Sequence, residues 1–300
     1  MAKHSNFRNT AELLLVRALM APLRYLPRQS AEAMARLYMG TLDWAAPKLR
    51  QRALRNLELA LPQLGPRERR CVADGAFHAL ARHLVAIARF PRIDKSNIGD
   101  WIRYEGYENY QSALARGKGV LIVSAHLGAW ELSGHAHALM SAPMSVVVRP
   151  LDNPKLDDWC ENMRTLAGNR MIGRNDYVRP ILAALKQNGA VGVFVDQNMT
   201  ADRGIFVDFF GHQACVESGV AKIAAKTGAA VIPGFAIWST AEQKFVLRFY
   251  EVLDIEGDPA ADSQRIQSAL ERAIRDYPDQ WLWIHRRWKT RPPGEPPLYP

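Results

Sequence analysis

The pattern of hydrophobic and polar positions divides the chain near residue 100. Before it, residues 31–42, 47–61 and 66–88 repeat apolar side chains at helical spacing. The last of these sets Val72, Phe77, Leu80 and Leu84 on an apolar face and carries Arg67, Arg69 and Arg70 near its start. After it, short β-branched runs alternate with amphipathic stretches. Gly119-Val-Leu-Ile-Val-Ser124, 145–149, 189–196 and 230–237 predict strands, and 244–252 alternates as an edge strand. Between them, helices are predicted from about 128 to 140, 154 to 167, 178 to 186, 219 to 227 and 263 to 275, with Arg170 and Arg174 in a loop-like stretch. Residues 204–211 form an apolar, aromatic loop or edge strand. The alternation predicts an α/β fold. A mostly parallel central sheet is flanked by helices, with a helical portion over 1–100 and the sheet over 101–300 in one domain of 1–300.

Ligands bind at the carboxyl ends of strands in open α/β sheets. Three predicted strands end there in chemistry: His126 after the first, Arg149 after the second, Asp196-Gln197-Asn198 after the third. Their arrival on one rim is more specific than any of them alone. On one continuous helix His126 and Glu131 would stand roughly 140° apart. They meet if His126 precedes the helix and Glu131 lies in its first turns. A carboxylate holding the imidazole would let His126 take a proton from a hydroxyl. There is no Gly-x-Ser-x-Gly elbow, so direct base-assisted attack is expected rather than a serine acyl-enzyme. The competing readings are a hydrogen-bonded structural histidine and a metal site built on Glu131 with His135, for which no further ligand set suggests itself.

Charge narrows the partners. The net charge of +9 favours anionic ones: nucleic acid, phospholipid surfaces or phosphorylated substrates. Cys71, Cys160 and Cys215 are odd in number and widely spaced, so reduced thiols are expected. Residues 11–26 are apolar but interrupted by Arg17, Pro22 and Arg24, which suits an interfacial helix, or a core helix, better than a spanning one. Near the end, Trp281 to Arg291 interleaves aromatics with cations. Without an accompanying nucleic-acid motif this suits lipid headgroups better than single strands.

The order of these motifs resembles a known family. His126-x4-Glu131, the strand ending in Arg149, Asp196-Gln197-Asn198, Phe209-Phe210-Gly211, Val231-Ile-Pro233 and Trp283-x-His285-Arg286-Arg287-Trp288-Lys289 are similar to the late lauroyl/myristoyl acyltransferases of lipid A biosynthesis. These belong to the lysophospholipid acyltransferase superfamily, together with bacterial phosphatidylinositol mannoside acyltransferases. The resemblance spans nearly the whole chain and implies a glycerolipid acyltransferase-like fold. It implies transfer of a fatty acyl group from acyl carrier protein, or coenzyme A, to a hydroxyl of a phosphorylated, Kdo-bearing lipid, with no cofactor, metal or nucleic acid. The place implied is the cytoplasmic face of the bacterial inner membrane, by peripheral or monotopic attachment to an anionic surface. Carried over, His126 is general base and Glu131 its orienting partner. Arg149 binds acceptor phosphate or stabilises the oxyanion, and Asp196 positions Arg149 or substrate. Arg286 and Arg287 make phosphate or structural contacts, while Arg174, Gln197, Asn198, Phe209 and Phe210 join the substrate-binding set. Two departures stand out. Ala125-His126-x4-Glu131 replaces the Asn-His-x4-Asp of glycerolipid relatives. His212-Gln-Ala-Cys-Val-Glu-Ser-Gly219 replaces a Pro and a Thr-rich turn, which bears on acyl-chain length.

Overall fold

The computed structural model describes residues 5–299. Four helices come first: α1 (Asn6–Tyr25), α2 (Arg28–Ala45), α3 (Pro47–Ala60) and α4 (Pro66–Arg89). Proline opens α3 and α4 at the first turn, where its missing N–H is not needed. Leu23 of α1, Ala31 and Ala35 of α2 and Ala81, Val85 and Ala88 of α4 form a cluster of their own. Small residues on α4 let neighbouring helices approach closely. Others on the same helix, Ala73, Ala76 and Ala86, reach the two larger clusters on the sheet. By length and composition the stretch Pro66–Arg92 is apolar enough to cross a membrane, but half of its apolar window is buried inside the molecule.

The remainder is the α/β part: β1 (Ile102–Glu105), α5 (Tyr107–Ala115), β2 (Val120–Ser124), α6 (Trp130–Met140), β3 (Ser145–Val148), α7 (Pro154–Thr165), β4 (Arg170–Gly173), α8 (Val178–Lys186), β5 (Ala190–Phe194), β6 (Ile205–Phe209), β7 (His212–Val216), α9 (Gly219–Thr227), β8 (Ala230–Ser239), β9 (Lys244–Phe249) and α10 (Pro259–Asp276). Seven strands make one sheet in the order β1-β9-β8-β2-β5-β3-β4, and β6-β7 form a separate hairpin. All neighbours in the large sheet run parallel except β8 and β9. The mostly parallel sheet with flanking helices is as the sequence predicts.

Alternation of side chains along the strands gives the sheet two apolar faces. Leu121, Val123, Val191, Val231 and Phe235 pack against α8, α9 and α10 on one face. Val120, Ile122, Ile232, Leu247 and Phe249 pack against α5 and α6 on the other. Three local expectations change. The stretch with Arg170 is a strand, β4, parallel to β3. The run 244–249 is not at the edge, because β1, too short and polar to read from sequence, pairs outside it. Residues 205–209 are half of a hairpin whose second strand covers His212–Val216.

Candidate active site

His126 sits two residues beyond β2, in a loop tied down by backbone. Its carbonyl accepts from Leu282 N–H, Gly128 N–H donates to Gln280 O, and Ala129 N–H donates to Ala236 O. Gly128 has φ +66°, and a Cβ there would lie 2.0 Å from the Ala236 carbonyl oxygen. Only glycine permits this turn. His126 therefore precedes α6 and Glu131 lies in its first turn, the arrangement the spacing requires.

The partner of His126 is Asp196, at the end of β5. Its Oδ1 is 2.8 Å from His126 Nδ1, and its Oδ2 accepts from His126 N–H at 2.8 Å and from Trp281 Nε1–H at 2.9 Å. Asp196 is 3 % exposed. Burial alone would raise its carboxyl, but the charge and hydrogen bonds of His126, with the Trp281 bond, hold it down at about 2. Burial likewise pushes the His126 imidazole down, and the charge and hydrogen bond of Asp196, with a smaller contribution from Glu131, carry it above its ordinary value. With Nδ1–H donating to the carboxylate, Nε2 holds the lone pair. Gln197 Nε2 lies 3.5 Å from it.

Glu131 does not hold the histidine. Its carboxylate takes a bidentate pair of bonds from Arg164 on α7, Nε at 3.0 Å and Nη2 at 2.5 Å. The first turn of α6 faces α7, whereas the loop before it turns Nδ1 back toward the end of β5. The orienting bond assigned to Glu131 thus belongs to Asp196, and Asp196 holds His126 rather than Arg149. The Glu131–His135 pair also parts, since His135 Nε2 lies 3.2 Å from the Ile93 carbonyl.

His126 opens on a cleft of about 440 Å³ lined by Glu131, Arg149, Arg164, Arg174, Tyr177 and Gln197 among others. Arg149 is exposed at its rim. Arg174 Nη2 lies 3.5 Å from Glu217 Oε2, and Glu217 is held in turn by the Tyr177 hydroxyl. Trp130 sets its ring edge toward His126 at 5.1 Å and stacks on buried His83 at 3.6 Å. Behind the cleft, beneath α6, lies a narrower and mostly apolar cavity of about 50 Å³. Trp130, Glu131, Arg164 and Phe194 line both spaces.

The other expected site residues fall elsewhere. Asn198 N–H donates to His285 Nε2 at 3.0 Å, and its side chain exchanges two bonds with Thr290. It fastens the C-terminal segment to the end of β5. Arg287 is 0 % exposed and donates to Cys215 O and Gln267 Oε1, so it is an interior strut and not a phosphate ligand. Phe209 and Phe210 are buried among Trp281, Trp283 and Trp288 rather than facing the cleft. Arg286 is half-buried and does not line the cleft. Arg164, Trp130 and Trp281, unanticipated from sequence, stand around His126 and its partners. A helix position such as Arg164 carries no local mark of its partner.

The chain has relatives among known proteins. A family model described as bacterial lipid A biosynthesis acyltransferase matches residues 1–290. The lipid A biosynthesis palmitoleoyltransferase of Escherichia coli (strain K12) is 32% identical over 263 residues, 85% of this chain and 84% of that protein. The lauroyltransferase of the same organism is 29% identical over 82% of this chain and 80% of its own. A phosphatidylinositol mannoside acyltransferase of Mycolicibacterium smegmatis is 27% identical over 69% of each. The chain belongs to the bacterial lipid A biosynthesis acyltransferase family and is an acyltransferase.

Proposed function

We propose that this protein transfers a fatty acyl group from a thioester on acyl carrier protein to a hydroxyl of a phosphorylated lipid A precursor, with His126 as general base. The observation that carries the reading is the His126–Asp196 pair, which leaves Nε2 as a lone-pair acceptor at the wall of a large cleft. The acceptor hydroxyl gives its proton to Nε2 as its oxygen attacks the thioester carbonyl. Asp196 stabilises the imidazolium that forms, and the carboxylate of Glu131 adds to this. The Gln197 amide, beside Nε2, donates to the oxyanion. The C–S bond then breaks, the ester C–O bond remains, and the imidazolium returns the proton to the leaving thiolate. Arg149 and Arg174 place cations where an acceptor phosphate enters. The acyl chain lies along the apolar part of the cleft wall, at Val146, Val147, Phe194 and Val220.

Membrane attachment is peripheral in this reading, on the cytoplasmic face of the inner membrane. On α1 and α2 large apolar side chains face outward, Phe7 at 85% and Trp44 at 84% exposure, with Leu14, Leu15, Leu19 and Leu37. Exposed Arg17 lies among them, which suits an anionic lipid surface.

The test is transfer of a labelled acyl group from carrier protein to a tetra-acylated, Kdo-bearing precursor, in parent and His126→Ala. Loss of at least ~100-fold in the variant is expected. Undiminished transfer by His126→Ala would sink the base assignment. A parent that acts only with coenzyme A thioesters on phosphatidylinositol mannosides would replace donor and acceptor while keeping the chemistry. Anionic-lipid binding without any turnover would mark a non-catalytic protein.

A further inference from the structure

Asn153 closes the loop that carries Arg149 at the rim of the cleft. It caps α7: its Oδ1 accepts from Lys155 N–H at 3.0 Å and from Leu156 N–H at 3.3 Å. An aspartate would cap the helix as well. The other half of the amide does what an aspartate cannot. Its Nδ2 donates to the Asn9 carbonyl at 3.0 Å and to Glu12 Oε2 at 2.8 Å, both on α1. A side-chain amide accepts two bonds and donates two, and this one, in a residue 5 % exposed, makes them all. Lys155 Nζ adds a bond to Thr10 Oγ1 at 2.7 Å.

The helix it grips has two faces. Phe7, Leu14 and Tyr25 lie outward, at helical spacing. Asn9 and Leu23 are buried on the opposite side. α1 joins the apolar core near its end, through Met20 and Leu23, whereas its first two turns are tied to α7 by the polar groups of Asn9, Thr10 and Glu12. A helix end held in this way opens at low cost, and a lipid surface that covers its outer face would secure it. What α7 holds makes this matter. Loop 149–152 lines the cleft, with Leu151 N–H bonded to Asp157 Oδ1 of α7. At the far end of α7, Arg164 grips Glu131, beside Met163, whose sulfur lies 3.9 Å from Arg24 of α1. α1 thus lies beside α7 from the cleft loop to Arg164.

We propose that Asn153 is a positioning residue that couples engagement of α1 with an anionic lipid surface to the placement of loop 149–152 in the cleft wall. The proposal rests on the peripheral attachment and the transfer reaction given above. With its outer face on lipid and its polar inner face on α7, α1 sets the loop for a phosphorylated acceptor lying in the same surface. Without lipid its first turns leave α7 more often, and the loop loosens with them.

The experiment follows amide hydrogen exchange over residues 149–157 with and without phosphatidylglycerol vesicles, beside sedimentation with the vesicles and transfer to acceptor embedded in them. In the parent, vesicles should slow exchange by about 10-fold, within the usual range of coupling between two sites. Asn153→Asp keeps the cap and loses both bonds to α1. It should still sediment with vesicles, lose their protection of 149–157, and raise KM for the embedded acceptor about 10-fold with kcat kept. Glu12→Ala removes one of the two bonds and should move both readouts the same way by less. Protection that persists in Asn153→Asp, or a fall in kcat with KM unchanged, would overturn the proposal and leave Asn153 a helix cap. A parent that does not sediment would remove the peripheral attachment and the coupling together. A parent that transfers nothing, yet shows protection lost in Asn153→Asp, would count against the transfer reading and leave the coupling standing.

Discussion

Two regions of this molecule carry the same kinds of residue and use them in opposite ways. The rim at 124–131 and 194–198 holds a histidine, two carboxylates and a tryptophan, and opens on the cleft. The segment at 281–291 holds tryptophans, a histidine and arginines, and is turned inward. Trp283, Trp288 and Arg287 are each 0 % exposed, and their indole N–H groups and the Arg287 terminal nitrogens donate to Pro278 O, Phe209 O, Cys215 O and Gln267. The rim is where groups meet at strand ends with space before them. The C-terminal segment is where the chain closes over the sheet from behind. Residue type announces neither fate; burial and hydrogen-bond partners decide it.

The sharpest way to break this contrast is Asp196→Asn. The amide cannot hold the imidazole in the same tautomer or balance its charge, so a fall in kcat of roughly 10³ to 10⁴ is expected with thermal stability measured alongside. Glu131→Gln should cost less. A larger loss in Glu131→Gln would return the orienting role to the carboxylate bound by Arg164. On the other side, Arg287→Ala leaves buried Gln267 Oε1 without its donor and takes one of two donors from Cys215 O, and should cost roughly 1–3 kcal/mol of stability, read by denaturant unfolding. Its folded fraction should keep the parental KM for the phosphorylated acceptor. A raised KM without destabilisation would move Arg287 from strut to ligand. Arg149→Ala is expected to do what Arg287→Ala does not: raise that KM about 10-fold, less at high salt because the side chain is exposed. The smallest effect is in the pH profile. In the proposed mechanism neutral His126 is the working form, and against burial Asp196 raises its pKa, so kcat/KM should climb with pH through a midpoint above 6.5. In Asp196→Asn that midpoint should move down even as the rate falls. A midpoint that stays put would separate Asp196 from the titration.

How much of this was legible in the sequence follows from what each signal depends on. Apolar runs such as Val120–Ser124 announce buried parallel strands, because both faces of such a strand must be apolar. The placement of His126 before α6 follows from the apolar run that ends at Ser124 and the helix predicted from near Gly128. Ile102-Arg-Tyr-Glu105 did not read as a strand, since four residues give too short a period. Arg170-Met-Ile-Gly173 was masked by its arginine and glycine ends, which an edge strand tolerates. The pairing of His126 with Asp196 rather than Glu131 depends on which way one ring nitrogen faces, and spacing along the chain holds no record of that. The sequence leaves Arg287 open between a phosphate and a structural contact, because nothing local marks which of two adjacent arginines is buried. Only the folded chain brings Cys215 O and Gln267 to meet one of them.

The ties around His126 also give the molecule a chronology. The histidine loop, at residues 126 to 128, is held by backbone bonds to Gln280 and Leu282, and Asp196 by the indole of Trp281. On a ribosome synthesising from the N-terminus, His126 and Asp196 are made long before these fasteners leave the exit tunnel. The nascent protein therefore carries His126 and Asp196 but not their fixed geometry. Emergence of residues 280–282, rather than synthesis of the motif itself, is the step that fixes this geometry.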